Sequence, residues 1–313
     1  MKTLACLLVA AALATAAPVP LIFDTDMGND IDDALALAVI HALESRGEAK
    51  LLAVTLTKDN KWSGPFVDLV NHFYGRPGIP IGISNNGPTP KDSDYTRLPS
   101  QNAVYKRKVK PEDKLPEGAA VIRKVLESQP DKSVVIVQVG FSTNLARLLS
   151  EPGGKELAAR KVKLLSVMAG HFPTGKPEYN VRIDVPSARK VFGEWPGEIV
   201  FSGLEIGLAI KYEAVSIERD YGWVANHPVS DAYRAYQKMP YDRPTWDLTS
   251  VLYAVRPDRG YFGLSDTGTV AVAEDGQTKL EPSAAGKHRY LTVTPEQRAR
   301  VLEALTVLAS QPR

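Results

Sequence analysis

Short, continuous apolar runs alternate with longer amphipathic stretches along most of this chain, and that alternation limits the folds open to it. PLIFDTD (20–26), LLAVTLT (51–57), IPIGI (79–83), SVVIVQVG (133–140), VKLLSVMAG (162–170) and EIVFSG (198–203) read as strands. Runs that are apolar without interruption suit strands covered on both faces, as in parallel sheets. Between them the spacing predicts helices over 32–43, 64–75, 117–128 and 186–195. Strand, helix, strand repeated in this way predicts an α/β fold, a doubly wound and mostly parallel sheet flanked by helices. Such folds build their sites from loops at the carboxyl ends of the strands. Residues 84–116 lack periodicity and read as a long loop. Residues 261–293 carry turn signals between short alternating runs and predict a small C-terminal β-meander. After it, TPEQ (294–297) has the capping pattern that starts a closing helix.

The first twenty residues, MKTLACLLVAAALATAAPVP, have the layout of a secretory signal peptide, with cleavage expected after Ala16. The mature chain is then a single domain over 17–313, secreted or periplasmic, with no membrane attachment. Its one cysteine, Cys6, leaves with the signal, so disulfides contribute nothing. A formal net charge of +2, with no basic run longer than YKRKVK (105–110), argues against a nucleic-acid partner.

IFDTDMGNDIDDA (22–34) gathers five aspartates where the first strand ends and the first long helix begins. Crowded carboxylates raise one another's pKa, so a positive charge should sit among them. Hard oxygen ligands at a strand end suit calcium or magnesium. Other readings fit less well. An EF-hand loop starting at Asp24 would put Asn29 at its glycine and Leu35 at its closing glutamate. A phosphatase with Asp-x-Asp after the first strand leaves Asp30, Asp32 and Asp33 unexplained. Helix caps account for one or two aspartates, not five.

The chain resembles the calcium-dependent nucleoside hydrolases, which cleave the N-glycosidic bond of ribonucleosides. That family opens with Asp-Thr-Asp, Gly and Asp-Asp-Ala, matched here by Asp24, Thr25, Asp26, Gly28, Asp32, Asp33 and Ala34, with two extra residues before the Asp-Asp pair. Further matches are LTKDN ending at Asn60, GFSTNLARLL (140–149), VMAGHF with PEYNVRIDVPSA, and RPTWDLTSVLYAV (243–255). The resemblance implies a calcium ion held by Asp26, Asp33, Asp247 and the Thr143 carbonyl, with Asp30 as a further candidate. It places Asp26 and Asn180 in catalytic positions, Asp26 as the general base. Asp32, Asn60, Glu178, Asn180, Trp246 and Asp247 would contact substrate. It implies a small-molecule ribonucleoside as partner and admits a homo-oligomer.

One departure bears on mechanism. Purine-preferring members place a histidine immediately before the last metal aspartate, where it is proposed to protonate the leaving base, and this chain has Trp246. Tryptophan can stack on a base but cannot serve as that acid. Three readings therefore stay open: a ribonucleoside hydrolase in nucleoside salvage, a non-catalytic extracytoplasmic protein binding nucleoside or ribose, and a hydrolase of a riboside whose leaving group needs no acid.

Overall fold

The computed structural model describes residues 17–173 and 175–313, so the predicted signal peptide, residues 1–16, lies outside the described residues. Six strands run parallel: β1 (Val19–Thr25), β2 (Ala49–Leu56), β3 (Ile81–Ile83), β4 (Val134–Gln138), β5 (Val162–Met168) and β6 (Ile199–Ser202). Their spatial order is β6-β5-β4-β1-β2-β3. The chain starts mid-sheet, winds outward through β2 and β3, then returns to β4 and winds the other way. The winding reverses between β1 and β4, and the crevice at such a switch point is where doubly wound sheets bind ligands. Leu21, Ile22 and Phe23 of β1 are fully buried, as a central strand covered on both faces requires. Each such side chain contributes about 1.5–3 kcal/mol.

The helices before the last strands are α1 (Asp32–Ser45), α2 (Ser63–Phe73), α3 (Asp94–Gln101), α4 (Gly118–Ser128), α5 (Thr143–Ser150), α6 (Gly154–Lys161), α7 (Tyr179–Ile183), α8 (Val185–Glu194), α9 (Leu204–Ala209), α10 (Ala214–Arg219), α11 (Pro228–Tyr236) and α12 (Trp246–Val255). Two of them decide the site. Residues 32–43 of α1 and 247–255 of α12 are buried throughout, because beyond their polar first turns both segments are mostly apolar, and the two helices pack on each other. Both begin in the same crevice with carboxylates in their first turns, Asp32 and Asp33 on α1 and Asp247 on α12. The positive ends of the helix dipoles favour anions there. Among the described residues no helix is long and apolar enough to cross a membrane.

β7 (Lys211–Tyr212) and β8 (Arg243–Pro244) form a separate two-stranded pair. The C-terminal strands are β9 (Gly263–Leu264), β10 (Gly268–Val272), β11 (Thr278–Pro282) and β12 (His288–Thr292). They do not stand apart: β12 pairs in parallel with β6, and β10 and β11 continue antiparallel from it as the sheet edge. The closing helix α13 (Pro295–Ala309) starts in a complete capping box between Thr294 and Gln297. The expected loop 84–116 contains α3, which packs on α11. Its Tyr95 is fully buried and accepts the Gly28 N–H. Gly28 has φ of +115°, a conformation a side chain would strain, and this turn carries β1 into the aspartate cluster.

Candidate functional site

A cleft of about 110 Å³ opens at the carboxyl ends of β1, β4 and β5, lined by Asp26, Asp30, Asp32, Val139, Met168, Glu178, Tyr179, Asn180, Leu204, Trp246 and Asp247. A larger cavity of about 560 Å³, bounded by Glu117, Arg147, Ser187 and Lys190 among others, lies elsewhere. Chemistry, not size, selects the cleft, because it is there that buried carboxylates converge.

Asp26, Asp30 and Asp33 each bring a carboxylate oxygen within 4.8 Å of the others. Asp33 receives the Thr25 hydroxyl on one oxygen, while its other oxygen is buried without a partner. Asp247 Oδ2 is likewise buried and unpartnered. Burial raises the pKa of Asp26 to about 6, and it pushes Asp30, Asp33 and Asp247 well above the ordinary carboxylate range, with mutual repulsion adding to it. Three carboxylates within 4.8 Å of one another, with orphaned buried oxygens on Asp33 and Asp247, are what a hard divalent cation would satisfy, so this donor set fits a metal ion.

Two side chains supply positive charge from the protein itself. Arg243, on β8, donates through Nε and Nη2 to Asp32 Oδ1 at 2.9 and 2.7 Å and pairs through Nη2 with Asp30. Its guanidinium lies over the Tyr236 and Trp246 rings, 5.3 and 4.8 Å from their centres. Lys58 acts at one remove: it donates to Asn29 Oδ1 at 3.0 Å, and Asn29 Nδ2 donates to Asp26 Oδ2 at 2.6 Å. The remaining aspartate, Asp24, ties elements together. It accepts from Thr55 at 2.6 Å and Asn144 at 2.8 Å, joining β1 to β2 and α5, and burial raises its pKa to about 7.

Across the cleft, Glu178 caps α7, accepting the N–H groups of Asn180 and Val181, and it also accepts that of Gly170. Burial nonetheless raises its pKa to about 7. Asn180 Nδ2 donates to the Val139 carbonyl at 2.7 Å and to the Met168 carbonyl at 3.2 Å, which pins Asn180 between the ends of β4 and β5.

Of the residues singled out in the sequence, the structure brings Asp26, Asp30, Asp32, Glu178, Asn180, Trp246 and Asp247 to the cleft wall, with Asp33 converging on Asp26 and Asp30. Two lie elsewhere. Asn60 spends its amide on the Pro90 carbonyl and Asp92, and its carbonyl oxygen accepts the Trp62 N–H, so it holds a neighbouring loop. Thr143 gives its hydroxyl to Asp184 at 2.5 Å. As the first residue of α5, its carbonyl is directed along the helix toward the next turn. The backbone position that does line the cleft is Val139, four residues earlier. Sequence reasoning also missed Arg243, Lys58 and Tyr179. Arg243 falls in the quoted RPTWD segment, where its charge was the available signal.

Comparison with known proteins agrees with this architecture. No curated protein sequence matches the chain. Solved structures share its fold, three of them as follows. An inosine-uridine preferring nucleoside hydrolase from Bacillus anthracis is 20% identical, with a TM-score of 0.72 over 94% of this chain and 100% of that one. A plant nucleoside hydrolase is 21% identical, with a TM-score of 0.70 over 94% and 100%. A protein described as the effector XOO4466 is 17% identical, with a TM-score of 0.71 over 95% of each chain. The family model for inosine-uridine preferring nucleoside hydrolases matches residues 21–307, and the chain belongs to that family.

Proposed function

We propose that the protein hydrolyses the N-glycosidic bond of ribonucleosides, releasing ribose and free base, with calcium as its metal. The observation that carries this reading is the convergence of Asp26, Asp30 and Asp33 within 4.8 Å of one another, with unpartnered buried oxygens on Asp33 and Asp247, in a chain of this family. Asp26, Asp33 and Asp247 would hold the ion with the Val139 carbonyl, and Asp30 would complete the set. When bound, the ion would lower the pKa of a water molecule and anchor vicinal sugar hydroxyls.

The chain's own residues would do the rest. Asp26, held by Asn29 and raised toward neutrality by burial, would accept the proton of the attacking water. Asp32, fixed by Arg243, would hydrogen-bond the sugar together with Glu178 and Asn180. The ring of carboxylates would favour the positive charge that develops on the ribosyl group as the bond to the base breaks. The signal-like N-terminus supports export of the mature chain.

A site built to satisfy hydroxyls rejects sugars that lack them, because its buried polar groups are left unpaired. The test is ribose release from inosine and uridine and from their 2′-deoxy counterparts, with calcium and after chelation. Ribosides should be cleaved at least about 10³ times faster than deoxyribosides, and chelation should abolish turnover. Equal rates on both sugars would sink the assignment. A second reading, nucleoside binding without turnover, is favoured by Trp246 standing where relatives have an acid; binding of uridine without ribose release would select it.

A further inference from the structure

The two buried helices that begin at the cleft end at a second charged place. α1 closes on its C-cap Arg46 and α12 on its C-cap Arg256. With 14 residues, α1 carries its end about 21 Å from the aspartates. There Arg46, Arg256, Arg259 and Arg300 line one cavity of about 330 Å³, together with Tyr261 and Glu303. Cations at helix C-termini offset the helix dipoles, which accounts for Arg46 and Arg256. It does not account for Arg259, in the turn after α12, or for Arg300, which reaches the same cavity from α13.

One carboxylate ties part of this group together. Glu48 accepts from Arg256 Nε at 2.8 Å and Nη2 at 2.7 Å, and from Arg259 Nη2 at 3.1 Å. Burial works against the charge on Glu48, yet Arg256, Arg259 and Arg46 hold its carboxyl below the usual range. Arg46 Nε donates to Gln311 at 2.6 Å. Arg300 donates to the Gly260 and Arg259 carbonyls at 3.3 and 3.0 Å, with its guanidinium 5.5 Å from the centre of the Tyr261 ring. Glu303 also lines the cavity, and Asp258 lines the adjoining hollow. Among the described residues only Glu48 forms ion pairs with these arginines, and Arg46 and Arg300 form none. Both Nη groups of Arg46, Nε and Nη1 of Arg259 and Nε of Arg300 donate to no described residue.

The cavity thus has spare guanidinium donors on side chains already held in place, since the Arg256 side chain is 5% exposed and Arg300 is fixed by two carbonyls. Such groups suit a phosphoryl oxyanion, which they meet in bidentate fashion. Beside them Ala304, Val307 and Leu308 of α13 form an apolar wall. We propose that this cavity is a second binding site, for a phosphate group carried either as the free ion or as the monoester of a small organic molecule. The site lies at the far end of α1 and α12 from the cleft and stands independently of the hydrolase reading.

The experiment is calorimetric titration of the protein with inorganic phosphate, glycerol 3-phosphate and glycerol at constant ionic strength. Both phosphates should bind saturably at one site per chain, and glycerol should not bind. Arg259→Gln and Arg300→Gln should each weaken phosphate binding about tenfold, the loss of a charge-assisted hydrogen bond. Arg298→Gln, which removes an exposed charge on α13 outside the cavity, should leave binding within about twofold, as solvent screening requires. Glycerol 3-phosphate binding tighter than inorganic phosphate by about tenfold selects the organic monoester, equal binding selects the free ion, and both results support the site. No saturable binding of either phosphate to the wild-type protein overturns the proposal, as does a loss with Arg298→Gln as large as that with Arg259→Gln. The wild-type titration decides the matter even where a variant fails to fold, and ribose release, measured separately, leaves the two readings distinguishable.

Discussion

Replacing Arg243 with methionine tests the charge arrangement directly. Methionine preserves much of the apolar stem while removing the guanidinium that pairs with Asp32 and Asp30. The Asp32 side chain is 1% exposed, so without Arg243 it becomes a buried carboxylate lacking its counter-ion. Breaking a buried pair in this way costs about 3–5 kcal/mol. The Asp30 side chain is 35% exposed, and solvent screening limits its share to under about 1 kcal/mol. In chelator, Arg243→Met should therefore lose about 3–4 kcal/mol, a fall in Tm of roughly 6–10 °C for a chain of this size. Calcium should restore at least half of the loss, because a cation beside the same carboxylates takes over the neutralising role. Thermal unfolding followed by circular dichroism, in chelator and in saturating calcium, measures both quantities. A fall under about 2 °C in chelator would refute the idea that Arg243 balances a buried charge. An equal fall in both conditions would refute the shared role of arginine and ion.

Further predictions concern the cluster, its turn and the core. Asp33→Asn and Asp247→Asn should each weaken calcium binding by roughly a hundredfold, measured by titration calorimetry, and wild-type affinity in either would remove that residue from the ligand set. Gly28→Ala should cost about 1–3 kcal/mol, because φ is +115° and the new Cβ would sit 3.0 Å from the Lys58 side chain and the Ser63 hydroxyl; denaturant unfolding reads it. His41 is fully buried, and desolvation lowers its pKa to about 3. Below pH 6.5 the unfolded chain takes up a proton that the folded one refuses, so stability drains away as pH falls toward 3. At pH 5 that is about 2 kcal/mol. The carboxylates of Asp24 and Glu178, with pKa values raised, titrate in the opposite sense, so the quantity to measure is the difference between wild type and His41→Gln. That difference should shift by about 2 kcal/mol in favour of the variant between pH 7 and pH 5, and a constant difference would show that His41 is protonated in the fold.

Much of this molecule could be read from the chain because the physics involved is local. Uninterrupted apolar runs announce strands covered on both faces, and Thr294 with Gln297 announces the start of α13 three residues apart. The aspartates of 24–33 and the Glu178–Asn180 pair carry their chemistry in short motifs, and the chain direction alone puts them at strand ends. The helix α3 could not be read in the same way. DYTRLPSQ is largely polar and contains Pro99, so its own propensity is poor, and packing against α11 and the bond from Gly28 to Tyr95 hold it.

The site's finer arrangement belonged to the tertiary structure. Arg243 meets Asp32 across 211 residues of chain, a pairing no local pattern encodes. The Asn60 side chain and the Thr143 carbonyl were the expected ligands, yet a loop contact and a helix start engage those residues elsewhere, while Val139 lines the cleft through its place just after β4. A backbone carbonyl leaves no mark in a sequence, because every residue has one. The residue types and their order determined that an acidic, metal-fitted crevice would form at a sheet switch point, whereas the direction of each backbone group and the partner of each buried charge were decided only when distant segments packed together.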